Sequence, residues 1–223
     1  MFNYVSVRVR LRVLIFPLSI TDSVFSYDLK DESSTLSEEA LKNRKEWSMN
    51  TKDFEVTKDL KLNSITHGKV SLKEAVKYIV DYLSVDMKAK YEIAIGTDSM
   101  TRSQTKFALA IVVHRNTNGA IFFSRTFTHS KFSKNMLHEK LVRETSMSID
   151  TAVFIAEELK KYGIDVLDKD SNIDFQVHMD IGTKGATAEF ISELEGWVTA
   201  YSFKYKIKPE SYASSTIADK LSK

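Results

Sequence analysis

From residue 71 onward, apolar positions recur with two different spacings, and the changes of spacing mark the elements. Leu72, Ala75, Val76, Ile79 and Leu83 recur three and four apart, and Ser71 with Glu74 makes a capping box ahead of them, so a helix over 71–88 is predicted. Glu92 to Asp98 then alternates: Ile93, Ile95 and Thr97 face one way, while Ala94, Gly96 and Asp98 face the other. Phe107 to Val113 reads as a second strand, and Asn118-Gly119 is a hairpin signal leading into a third, Ala120 to Phe127. The helical spacing returns over 135–162, where Leu137, Leu141, Glu144, Ser148, Ala152, Ile155 and Leu159 share a stripe closed by Gly163. A fourth strand is expected over Ile173 to Met179, a helix over Ala186 to Tyr201, a fifth strand over Phe203 to Lys208 and a last short helix over Ser211 to Leu221. Lysines alternating through the fifth strand suit a sheet edge, and Pro209 ends it.

Residues 1–48 read differently. Val5, Val7, Val9, Leu11 and Val13 alternate with polar residues as a strand would, yet no partner strand is evident nearby. The arginines before Val13-Leu14-Ile15-Phe16 resemble a weak export signal, but Pro17 breaks the apolar run and no small-x-small cleavage pattern follows. Residues 28–48 are polar and charged without an apolar stripe. The genetic code offers an explanation: Lys45-Glu46-Trp47-Ser48-Met49 can be encoded as AAG GAG TGG AGT ATG, a ribosome-binding sequence ahead of a start codon. The chain is therefore expected to divide into an extension (1–48) outside the fold, a segment 49–90 carrying one helix, and a main domain over 91–223.

With 223 residues, 43% of them hydrophobic, there is material for one ordinary domain and an appendage. The absence of cysteine excludes disulfides and thiolate metal sites, so a bound metal must sit on carboxylates or histidines. No apolar run reaches the roughly 20 residues a membrane span needs, and a cytoplasmic location is expected. The net charge of +2 is too small to announce a nucleic-acid binder. Residues 100–144, however, carry eight Lys or Arg against two Glu, a local balance of +6.

The element order from residue 91 is β-β-β-α-β-α-β-α, an α/β arrangement with a five-stranded mixed sheet. An aspartate ends the first strand (Asp98), a glutamate lies on the inward stripe of the first long helix (Glu144), and an aspartate follows the fourth strand (Asp180). This order resembles the ribonuclease H-like fold. The segments Ile95-Gly96-Thr97-Asp98-Ser99, Val177-His178-Met179-Asp180-Ile181-Gly182, Lys208-Pro209-Glu210-Ser211 and Ala218-Asp219-Lys220 are similar to those of the bacterial ribonuclease H-like family of YkuK type. That resemblance implies a carboxylate centre of Asp98, Glu144, Asp180 and Asp219, which would be both catalytic residues and ligands of Mg2+ or Mn2+. It implies a metal-dependent nuclease or related phosphodiester hydrolase, with RNA, DNA or a hybrid as partner. The chain departs from the ribonuclease H pattern twice: Asp219 lies well inside its helix rather than at the start, and no histidine stands between the fifth strand and the last helix.

Physical chemistry gives each part a reason. Cleaving a phosphodiester needs an activated water and a stabilised leaving oxygen, which two metals about 3.5–4 Å apart supply together, and carboxylate oxygens suit magnesium or manganese. Each acid also has a structural reading, as a turn or cap residue for Asp98 and Asp180, a rim residue for Glu144, or an exposed acid for Asp219. His178 shares a strand face with Asp180, which permits a His-x-Asp pair, though a hydrogen-bonded core histidine is the commoner role. His129 and His138 are expected at the surface. Arg125, Lys131, Lys134, Lys140 and Arg143 can grip a phosphate backbone or form a solvated face. Phe122, Phe123, Phe127 and Trp197 read as core first. Two other functions compete with a nuclease. One is a non-catalytic nucleic-acid- or partner-binding module. The other is a phosphotransferase or ATPase, since Asp180-Ile181-Gly182-Thr183-Lys184-Gly185-Ala186-Thr187 resembles the phosphate loop of the actin-like fold.

Overall fold

The structure, a computed structural model, describes residues 55–116 and 119–222, apart from the Lys134 side chain. The alternating segment 5–13, the polar stretch 28–48, the start expected at Met49, and Asn118 of the hairpin pair lie outside the described residues. Among the described residues seven strands form one sheet: β1 (Lys61–Ser64), β2 (Gly68–Ser71), β3 (Tyr91–Thr101), β4 (Thr105–Arg115), β5 (Ala120–His129), β6 (Ile173–Met179) and β7 (Lys204–Lys206). Their order is β2-β1-β5-β4-β3-β6-β7. The β3-β4-β5 meander is antiparallel, whereas β6 runs parallel to β3 and β7 parallel to β6.

All five strands expected over 91–223 are present, and two more, β1 and β2, extend the sheet to seven among the described residues. The added hairpin, β1 and β2, has four residues per strand and buries only Leu62 and Val70 as its apolar residues, too few to show a period. The β4–β5 hairpin follows the sequence reading in place, but its turn is wider than two residues. Arg115 N donates to Gly119 O at 3.1 Å, and Gly119 takes φ +85°, a conformation open to glycine at little cost.

Helix α1 (Leu72–Ser84) begins at the expected box: Ser71 Oγ accepts from Glu74 N at 3.2 Å and Glu74 Oε2 accepts from Ser71 N at 2.6 Å. It stops four residues short of the expected 88, because Lys88 N turns to Asp86 Oδ1 at 3.0 Å and Met87 finds no core to enter. A 3-10 turn over Lys134–Met136 leads into α2 (Leu137–Lys161), which Gly163 closes at φ +80° with its N–H on Lys160 O. Residues 182–187 form a loop that enters a 3-10 turn and then α3 (Ile191–Ala200). Among the described residues β6 pairs only in parallel, with β3 and β7, so the loop does not join the two strands of a hairpin as an actin-like phosphate loop does. The last helix is not a simple α-helix either. A π-helical turn over Ala213–Ala218 precedes a single turn α4 (Asp219–Ser222).

The two faces of the sheet differ in the size of their side chains, and that difference positions the site. Ile93, Ile95, Leu109, Ile111 and Phe123 project to one face and pack with Ile79 of α1 and Ile149 and Ile155 of α2. On the other face β3 and β4 present Ala94, Gly96, Ala108 and Ala110, with Gly96 directly opposite Ala110. Small side chains let the C-terminal segment sit on the backbone itself. A Cβ on Gly96 would stand 2.7 Å from Ser214 N and 2.9 Å from His178 O, so only glycine admits this approach. Among the described residues no helix is long and apolar enough to cross a membrane.

Candidate metal centre

Parallel pairing sets the first two acids side by side. Thr97 of β3 is in register with Met179 of β6, so the next residue on each, Asp98 and Asp180, lies at the carboxyl ends of neighbouring strands, where open α/β sheets gather ligands. Asp98 belongs to the small-residue face and is buried beneath α4, whose Ser222 Oγ lies 3.2 Å from Asp98 Oδ2. Asp180 is partly buried. Its Oδ2 accepts from Lys208 Nζ at 2.9 Å, and its Oδ1 is buried without a hydrogen-bond partner.

Glu144 approaches from the opposite side. It is buried on the α2 stripe facing β3, where Ser99 Oγ donates to Glu144 Oε1 at 2.7 Å. One turn along, Ser148 Oγ donates to Thr97 Oγ1 at 3.0 Å, so α2 is pinned to the Thr97–Ser99 side of the strand. Lys140 closes this side, with Nζ 3.7 Å from Glu144 Oε1 and 3.2 Å from the Ser99 carbonyl, to which it donates. Since strand side chains alternate, Glu144 and Asp98 flank the end of β3 from its two faces.

The three acids still act on one another. Burial raises Asp98 to about 6, and the charge of Asp180 adds to the rise. Burial raises Glu144 further, to about 8; Lys140 opposes this, while Asp98 and Asp180 reinforce it. A hard divalent cation suits an all-oxygen donor set that carries this repulsion and an unpartnered oxygen at Asp180. Among the described residues, however, no group of three or more histidine, aspartate or glutamate side chains is arranged to hold an ion. Glu144 is held across the strand by Ser99 and Lys140, and Lys208 takes one oxygen of Asp180. The donor chemistry therefore fits a cation, and two lysines stand among the donors.

Asp219 lies well inside the continuous helical run 212–222, directly after the π-helical turn, as expected, and is half-buried; Ser222 of the same run reaches Asp98. Ser99, Ser222 and Lys208 escape a reading from sequence because a serine or lysine near a motif carries no period or spacing of its own. The expected phosphate-gripping face also changes: Lys140 turns inward as described, and Arg143 is buried, so neither belongs to a solvated face. Arg125 is half-buried, its guanidinium 5.6 Å over Phe127, and Lys131 is exposed. His129 is buried against Phe132, contrary to the surface position expected, whereas His138 is partly exposed and lies 3.0 Å from Glu193.

His178 is a core histidine. Its Nδ1 accepts from Ala213 N at 3.2 Å, which leaves the proton on Nε2 to donate to Gln176 Oε1 at 3.0 Å. Burial holds it down to about 4, so it is neutral at ordinary pH and fastens the C-terminal segment to β6.

Comparison with known proteins bears on this arrangement. The chain is 30% identical over 168 residues to "Uncharacterized protein YkuK" of Bacillus subtilis (strain 168), an alignment covering 72% of this chain and 95% of the relative. No solved structure matches. The Ribonuclease H-like family matches residues 74–223, which takes in most of α1, all of β3 to β7 and all four acids. The chain belongs to the ribonuclease H-like family.

Proposed function

We propose that this protein is a metal-dependent nuclease, or a closely related phosphodiester hydrolase, with Asp98, Glu144, Asp180 and Asp219 as its acidic centre and Mg2+ or Mn2+ as its cofactor. The observation that carries the reading is the pairing of Asp98 and Asp180 at the ends of adjacent parallel strands, with Glu144 raised to about 8 by burial and reinforced by both their charges. Acids so placed are costly unless a cation is shared among them. Asp98 and Asp180 would hold the ion, with Glu144 and Asp219 completing the acidic set. A divalent ion held there would lower the pKa of a bound water and stabilise the leaving oxygen. The protein's own groups fix the donors: Ser222 orients Asp98, and Ser99 with Lys140 orients Glu144.

A panel of single- and double-stranded RNA, DNA and hybrid, in Mg2+ and in Mn2+, tests the proposal. Cleavage should require the ion and fall at least 100-fold in Asp98→Asn and in Asp180→Asn, while both variants keep cooperative melting. Full activity in both variants would refute it. A second reading, a nucleic-acid-binding module without catalysis, is favoured by the lysine on Asp180 and by the lack of a closed three-acid group among the described residues. Salt-sensitive binding of the same oligonucleotides with no cleavage in either metal would establish that reading instead.

A further inference from the structure

Lys208 is tethered in a way that an ordinary surface lysine is not. Its backbone N–H donates to Ile181 O at 2.8 Å, so the residue after Asp180 holds the residue that neutralises Asp180. Its stem runs over Gly182, where an added Cβ would touch Lys208 Cβ at 3.4 Å and Cδ at 3.8 Å. The ammonium then bonds Asp180 Oδ2 at 2.9 Å, while the neighbouring Oδ1 is buried and unpartnered. The side chain of Lys208 is 48% exposed, against 22% for Lys140 on the far side of β3. Lys140 is locked between Glu144 and the Ser99 carbonyl. Lys208 has a fixed stem and a head that water can receive.

We infer that Lys208 is an exchangeable counterion of the acidic centre: its ammonium holds Asp180 when no divalent ion is bound, and it must leave Asp180 for an ion to enter. The inference rests on the proposed function only in taking Asp180 as a ligand. Coulomb's law gives its sense. An ammonium that must give up Asp180 before the ion enters weakens the ion's binding, so its removal should tighten that binding roughly five- to tenfold, about 1–1.4 kcal/mol at 1.4 kcal/mol per tenfold. The device keeps the centre from standing open and mutually repelling before the ion arrives, and it weakens the ion's grip by the same interaction.

The test is Mn2+ binding to the full chain, followed by titration calorimetry and by electron paramagnetic resonance of the free ion. Lys208→Met should bind Mn2+ roughly five- to tenfold more tightly than wild type, and Lys208→Arg should stay near wild type. Lys204→Met supplies the baseline for a lost positive charge, since Lys204 pairs at 2.7 Å with Asp174 on the same two strands. In wild type, Mn2+ should raise the acetylation rate of the Lys208 amine and leave that of Lys204 unchanged, a readout that needs no variant to fold. Tighter binding in Lys208→Met alone, including binding there when wild type shows none, supports the inference. Affinity in Lys208→Met equal to or weaker than in Lys204→Met, or an acetylation rate indifferent to the ion, overturns it while leaving the metal centre standing. No Mn2+ bound by any of the proteins overturns both.

Discussion

Glu144→Gln gives the sharpest test of the buried centre, because its effect should change with pH in a direction the burial dictates. In the fold Glu144 is raised to about 8, whereas the ordinary value is 4.5. A group raised on folding contributes stability that is fully present below its unfolded pKa and lost as pH rises through the folded one. Between about pH 5 and pH 8.5 the wild type should therefore lose up to about 4 kcal/mol through this residue, from the linkage relation at 1.36 kcal/mol per pKa unit. Glutamine keeps the Ser99 hydrogen bond and carries no proton to lose, so the variant escapes that loss. It should match wild type near pH 5 and exceed it by about 2–4 kcal/mol near pH 8.5. Urea denaturation in a chelating buffer at several pH values measures the difference. A gap that does not change with pH, or a variant less stable than wild type at high pH, refutes the burial argument. Adding Mn2+ should narrow the gap if the acid serves the ion.

Three further outcomes follow from the same structure. Gly96→Ala should destabilise by about 1–3 kcal/mol, since its Cβ would meet Ser214 N at 2.7 Å, while Gly196→Ala, with nothing within 4 Å, should be neutral or stabilising; melting temperatures decide. His178 has a folded pKa near 4, below its ordinary 6.5, so its contribution is present above 6.5 and lost as pH falls toward 4. Wild type should lose about 3 kcal/mol more than His178→Gln over that range, and equal acid sensitivity would show that the histidine does not fasten the C-terminal segment. A chain beginning at Met49 should melt within about 5 °C of the full chain, roughly 1 kcal/mol, because the family match starts at residue 74; a larger drop would place residues 1–48 in the fold.

Much of this architecture was legible in the sequence because long elements carry their period many times over. The stripe of α1 and its capping box, the alternation of β3 and the hairpin into β5 all appear where the pattern put them. The β1–β2 hairpin did not, since two buried residues cannot define a period. The C-terminal segment differed from its reading: its apolar residues match a regular helix, whereas a π-helical turn over Ala213–Ala218 lies against the bare backbone at Gly96. For the acidic centre, Asp98, Glu144 and Asp180 were legible as types in an order. The side from which each arrives was not, because that depends on Ser99, Ser148 and Thr97 fixing α2 to one edge of β3, and hydroxyl pairs leave no signature in a linear pattern.

The joining of Ser222 to Asp98 spans 124 positions of chain, whereas the β3-β4-β5 meander closes through short turns. Contacts so far apart in sequence are slow to form, and they come after local ones have shortened the search. The meander, with α1 and α2 packed on its large-residue face, can therefore form before the roof over Asp98 is in place. Local opening of residues 211–222 would return the molecule to that state without melting the sheet. Amide exchange at 213–218 should then run faster than at the centre of β3, and equal rates would mean that roof and sheet open as one unit. Order of assembly, in such a protein, is also order of enclosure: Asp98 stands on the sheet early, and its covering is finished last.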